Sequence, residues 1–208
     1  MKPKTKLIDM VKIKMSKRQE NAIKRIDAEP CDVIVLLTGR ELRRRGEKHS
    51  KAFYEAGCRA LKQYYATTIF DPLNMHAISD NLDTFWHAHV LDTVAYDLLC
   101  KDIKGFMHHD PLNKFDTAKM AAVKKIYDYT RRVLERIFGA ENLDERFHPS
   151  KSSPSILVCR HDIEGPPRRS LSTRDAFPVN PEMQKLRAKY SHEAIRKARI
   201  SAVRSALA

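Results

Sequence analysis

No run in this chain of 208 residues approaches the roughly 18 consecutive apolar residues that a membrane-spanning helix requires, so no membrane partner is expected. The N-terminal stretch MKPKTKLIDMVKIKM is basic, but Lys6, Asp9, Lys12 and Lys14 interrupt its apolar residues, and the continuous centre of a secretory signal is missing. Cysteine is sparse. Cys31, Cys58, Cys100 and Cys159 form no C-x-x-C pair, which argues against a zinc ribbon, a thioredoxin-type motif and a dense disulfide framework. Reduced cysteines in the cytoplasm are the expectation. Glycine is scarce too, at six residues, and neither G-x-x-x-x-G-K-[ST] nor G-x-G-x-x-G occurs. H-E-x-x-H and G-x-S-x-G are likewise absent, so the common nucleotide, zinc-protease and hydrolase readings have no support. The glycines of TGRELRRRGEK (38–48) are too far apart for a phosphate loop, and its basic run reads as a solvated face.

Positive charge is abundant, at a net +13, and unevenly spread. Residues 1–80 carry +7, residues 81–150 carry −1 and residues 151–208 carry +7. A neutral centre with basic flanks favours an acidic partner: a peptide, the acidic face of an enzyme subunit, or nucleic acid.

Hydrophobic spacing predicts a mainly α fold, a helical bundle core with a Pro-rich linker and a basic C-terminal helix. Residues 50–70 place Phe53, Ala56, Ala60, Leu61 and Tyr64 at helical spacing behind a Ser50 cap, with Pro72 beyond the end. Residues 117–138 repeat the pattern and close at Gly139. CDVIVLL (31–37) and SILVC (155–159) fit a strand or a buried helix equally. The expected organisation is a basic segment over 1–49 packing on the core, a helical core domain over 50–148, a Pro/Ser-rich linker with little regular structure over 149–180, and a tail over 181–208. Six of the ten prolines fall between 149 and 181. The tail carries a thin apolar stripe and is expected to move independently of the core, with Lys185, Arg187, Lys189, Arg196, Lys197 and Arg199 as candidate partner-binding residues.

Chemistry, if present, should sit in FWHAHVLDTVAYDLLCKDIKGFMHH (85–109), which holds four of the nine histidines and the only tryptophan. Read as one helix over about 83–104, it aligns Phe85, His89, Asp92, Tyr96, Cys100 and Ile103 along one stripe, with His87, Leu91, Val94 and Leu98 opposite. Most of this helix is expected to be buried. His87 and His89 diverge by about 200° and cannot share one metal. The candidate polar site therefore comprises His87, His89, Asp92, Tyr96, Cys100, His108 and His109, and His89, Asp92, His108 and His109 are the candidate ligands if zinc or iron binds. A buried histidine hydrogen-bonded one turn away explains the same residues without metal. Trp86 reads as a core anchor. His49, His76, His148, His161 and His192 read as surface or loop residues.

The same run, with Asp83, WHAHVLDTVAY (86–96), Cys100, Gly105, His108, His109 and Pro111, resembles the glycine-rich-domain-protein-like family. That resemblance covers roughly residues 50–138 and implies a helical domain whose shared polar residues sit together. The chain lacks the glycine-rich segment of the plant members.

Three functions follow as expectations. The first is an accessory or binding protein engaging an acidic peptide or enzyme subunit. The second is a metal-dependent enzyme, or subunit of one, using the His89/Asp92/Tyr96/Cys100 stripe. The third is nucleic-acid binding through the tail, in which Tyr190 is the one aromatic among the basic residues.

Overall fold

Ser16 opens the first long helix through a capping box: its hydroxyl accepts from the Gln19 amide at 3.3 Å, while Gln19 Oε1 accepts from the Ser16 amide at 2.9 Å. The computed structural model describes residues 5–103, 105–111, 116–153, 157–164, 177–191, 194, 196–198 and 200–201. Its helices are α1 (Lys17–Ala28), α2 (Asp32–Arg44), α3 (Lys51–Phe70), α4 (Asp80–Leu91), α5 (Thr93–Ile103), α6 (Thr117–Phe138) and α7 (Pro181–Tyr190). The fold is mainly helical, as the periodicity predicts. Three short strands, β1 (His76–Ser79), β2 (Phe106–Pro111) and β3 (Leu157–Glu164), form an antiparallel sheet with β3 between the other two.

The ambiguous run at 31–37 is helical. Asp32 in its first turn and Arg43 and Arg44 in its last complement the helix dipole, and Ile34, Thr38 and Leu42 recur on its buried face. α3 and α6 match the predicted 50–70 and 117–138 helices. Ser50 caps α3 by accepting from the Phe53 amide at 3.3 Å, and Gly139 ends α6 at φ 80°, a left-handed conformation that suits glycine. Between α3 and α4, Gly57 permits a close approach: a Cβ there would stand 2.1 Å from Phe85 Cζ. Phe85 in turn joins Phe53 and Phe147, with ring centroids 5.1–6.0 Å apart. Trp86 is a core anchor, as expected, at 1% exposure.

The expected single helix over 83–104 is two helices, broken at Asp92 with ψ 74°. The Asp92 amide closes a short turn onto the His89 carbonyl at 3.0 Å. Its Oδ1 accepts from the Ala95 amide at 3.4 Å, a local bond that competes with the helix interior. The expectation that most of this helix is buried also needs correction. Leu91 and Val94 are each 71% exposed, and Leu98 is 56% exposed.

The Pro-rich stretch over 149–180 contains β3, against the expectation of little regular structure. β1 and β2 supply the reason, since both leave backbone donors and acceptors that β3 satisfies on its two edges. The start of the tail, α7, is likewise docked on the core, against the expectation of an independent segment. Met183 is 1% exposed, and Gln184 and Arg187 both donate to the Leu73 carbonyl, at 2.8 and 3.1 Å. Asn74 Oδ1 accepts from the Asn180 amide at 3.0 Å, and Lys125 pairs with Glu182 at 2.9 Å. The first part of the thin apolar stripe, Met183, Leu186 and Tyr190, thus packs within the same chain, whereas Ile200 is 45% exposed. Among the described residues, no helix is long and apolar enough to cross a membrane.

Candidate functional site

Three features meet where the C-terminus of α1, the start of α2 and the middle of α3 converge: a cavity, a pair of thiols and a buried histidine. The cavity has a volume of about 830 Å³, and its walls include Glu29, Cys31, Tyr54, Cys58, Arg59 and Lys62. Glu29 and Cys31 come from the short link between α1 and α2, while Tyr54, Cys58, Arg59 and Lys62 lie along one face of α3 at helical spacing. Lys62 donates to the Asp27 carbonyl at 2.6 Å, tying α3 to the end of α1.

His89 lies behind this wall. Its Nδ1 is 2.8 Å from the Tyr65 hydroxyl, and its Nε2 has no hydrogen-bond partner and stands 3.7 Å from Glu29 Oε1. Burial pushes the phenol of Tyr65 well above its ordinary range, so Tyr65 stays protonated and can donate to Nδ1. With that donation the ring proton resides on Nε2, facing Glu29. Burial holds the imidazole neutral, lowering it to about 4 against a smaller opposing effect of Asp92. Burial also raises the Glu29 carboxyl, with Lys62 opposing. The arrangement Tyr65–His89–Glu29 therefore connects the protein interior to the cavity through groups that can hold or pass a proton.

The predicted stripe is only partly brought together. Tyr96 meets His89 edge-on, with ring centroids 5.5 Å apart, but its hydroxyl donates to the Met107 carbonyl at 2.8 Å. Cys100 is buried and hydrogen-bonded to the Met107 backbone and Tyr96, and burial raises its thiol against their opposing effect. Asp92 serves the α4–α5 break. His87 is half exposed and pairs with Asp83 at 3.2 Å, away from His89. His108 and His109 lie on β2, where their backbone positions pair with Asp162 and His161. Among the described residues, no three His, Cys, Asp or Glu side chains are grouped so as to hold a metal ion. His76 and His161 are paired positions on β1 and β3, so residues 76, 161 and 109 form one register row across the sheet.

Neither the known family models, nor the curated proteins, nor the solved structures give a match to this chain.

Two of the histidines read as surface or loop residues are buried, His76 on β1 and His148 in the loop after α6. His76 is 3.2 Å from the Asp71 carbonyl and 3.3 Å from Thr130 Oγ1, within a cluster in which Tyr129 donates to Asp71 Oδ2 at 2.6 Å and Asn74 to Asp71 Oδ1 at 2.6 Å. His148 is enclosed beside Arg131, whose guanidinium donates to the His148 carbonyl. Of the candidate tail residues, Arg187 is committed to the core, Lys185, Lys189, Arg196 and Lys197 are exposed, and Arg199 lies outside the described residues. Glu29, Cys31, Tyr65 and Cys58 are the residues that sequence reasoning missed. Glu29 and Cys31 lie in the α1–α2 link and Cys58 and Tyr65 on α3, a split that carries no local spacing signal.

Proposed function

We propose that this protein is an accessory or binding protein, and that its contact surface for an acidic, apolar-anchored partner is carried by α2, α4 and α5. The supporting observation is the distribution of exposed apolar side chains. Of the seven large apolar residues exposed among the described residues, Val33 and Leu36 lie on α2, and Leu91, Val94 and Leu98 lie at the end of α4 and along α5. α2 packs on α4, and α4 leads directly into α5. Clusters of exposed apolar groups rimmed by charge mark interaction surfaces more often than isolated ones do. On α2 the same exposed face continues into Arg40, Arg43 and Arg44, with Arg45 and Lys48 beyond. Glu41 is the acidic partner of Arg44 and Arg45, at 3.8 and 3.2 Å. A peptide or enzyme-subunit surface bearing carboxylates beside leucine-like anchors fits that chemistry. The resemblance to the glycine-rich-domain-protein-like family belongs to the same reading, as a helical domain with a shared polar interior.

The test is anisotropy of a labelled helical peptide with leucines on one face and glutamates on the other, at low and high ionic strength. Binding should weaken with salt, and Leu98→Ser should cost about tenfold in affinity, as loss of an anchoring side chain does. Arg43→Glu with Arg44→Glu should remove the salt dependence. Unchanged binding in both variants, or tighter binding of an oligonucleotide, would refute this reading.

A metal-dependent role is the second reading, favoured by the row of residues 76, 161 and 109, three histidine positions on three strands. Protein purified without chelator should then carry zinc or iron at a fixed ratio that His161→Ala abolishes. Absence of any stoichiometric metal would discard it.

A further inference from the structure

Cys31 stands immediately before α2, and Cys58 lies in the middle of α3. Their side chains are hydrogen-bonded to one another, and both line the cavity. We propose that Cys31 and Cys58 form a reversible dithiol–disulfide couple opening onto the cavity, with Cys31 as the attacking sulfur and Cys58 as the resolving one.

The asymmetry of the pair assigns the roles. Cys31 is partly exposed, whereas Cys58 is 6% exposed, so an incoming reagent reaches Cys31 first. Its position at the positive end of a 13-residue helix favours a thiolate. Lys62 lines the same cavity and adds positive charge. Hydrogen bonding to Cys58 is the largest cause lowering the Cys31 thiol to about 7, and Lys62 contributes, against opposition from burial, Asp32 and Glu29. Cys100 has the opposite character, being buried with its thiol raised.

The co-reactant is a small disulfide, for which glutathione disulfide is the probe. Lys51, Arg59 and Lys62 beside Asp27, Glu29 and Glu55 give the cavity both signs of charge, suited to a zwitterionic peptide. The Cys31 thiolate attacks one glutathione sulfur; a new S–S bond forms, the old one breaks, and one glutathione leaves as thiolate and is protonated by solvent. Cys58 then loses its proton to solvent and attacks the Cys31 sulfur, forming the internal disulfide and releasing the second glutathione. Two cysteine sulfurs are oxidised and one disulfide is reduced to two thiols. Sulfurs already in hydrogen-bond contact need close only to about 2 Å.

Full-length protein is equilibrated in buffers of varied glutathione to glutathione-disulfide ratio, quenched in acid, alkylated and mapped by peptide mass. A linked Cys31–Cys58 peptide should appear and vanish reversibly. Cys58→Ser should accumulate glutathione on Cys31, while Cys31→Ser should leave Cys58 largely unmodified. Reduced protein at pH 7 should alkylate at Cys31 about fivefold faster than an ordinary thiol, the larger thiolate fraction outweighing the lower nucleophilicity. No Cys31–Cys58 link at any ratio, a link to Cys100 or Cys159 instead, or glutathione accumulating on Cys58 would overturn the proposal. The wild-type mapping needs no variant, so a misfolded mutant cannot obscure the result.

Discussion

Lowering the pH from 7.5 to 5.5 should destabilise this protein through two histidines that the fold holds neutral. His89 and His148 are each 1% exposed, and burial, first among the causes for both, lowers each to about 4 from an ordinary 6.5. For His148 the adjacent Arg131 acts in the same direction. In the unfolded chain both rings take up a proton as pH falls through 6.5, whereas in the folded chain neither does until about 4. The unfolded state thus binds more protons across this window, so stability is present above 6.5 and is lost as pH falls toward 4. Between pH 7.5 and 5.5 the loss is about 1.3 kcal/mol per histidine, or roughly 2.5 kcal/mol for the pair. For a chain of this size that corresponds to a fall in Tm of about 5–10 °C. Burial lowers His76 as well and adds to the effect; Glu29 and Asp71, both raised by burial, oppose it. The informative quantity is therefore a difference between variants. Urea unfolding of wild type, His89→Gln and His148→Gln at the two pH values should show each substitution removing about 1.3 kcal/mol of the pH-dependent drop. An equal drop in all three proteins would refute the assignment of these imidazoles as buried and neutral.

Gly57→Ala should lower Tm by several degrees despite a helix-propensity gain of about 1 kcal/mol, because overpacking against Phe85 costs about 1–3 kcal/mol or more; Phe85→Leu in the same chain should recover part of the loss, and a higher Tm in the single variant would contradict the packing. Met183→Asp should destabilise the whole domain by about 3 kcal/mol by burying a charge, and deletion of 181–208 should do so too; chemical denaturation that leaves both at wild-type stability would return the tail to an independent segment. Salt-sensitive binding of the acidic peptide, abolished at Arg43 and Arg44, and a reversible Cys31–Cys58 link complete the set.

The long helices were legible because their signals are local. Ser50 and Gly139 mark two boundaries, and apolar spacing marks the buried faces of α3 and α6. The α4–α5 break was less legible: Asp92 is compatible with a helix stripe until its carboxylate caps the next turn, and that choice exposes Leu91, Val94 and Leu98. His89 could be singled out from sequence, but its partners could not. Tyr65 reaches it from α3 and Glu29 from the α1–α2 link, and the Cys31–Cys58 contact depends on how α2 and α3 pack. The tail's destination was hidden for the same reason, since Leu73 and Asn74 sit more than 100 residues before the groups that bind them.

The order of strands in the small sheet has a consequence for biosynthesis. β3 lies between β1 and β2 yet leaves the ribosome after both, and His161 pairs with His76 about 85 residues earlier. At 5–20 residues per second, β1 waits roughly 4 to 17 seconds for its neighbour. During that interval both earlier strands present open edges, the form of backbone most prone to pairing with another chain. The helices that form in the meantime, α4, α5 and α6, can shelter those edges until translation delivers the strand that joins them. Slowing elongation between 112 and 157 should therefore lower soluble yield more than slowing it elsewhere, a dependence measurable by placing rare codons in that stretch.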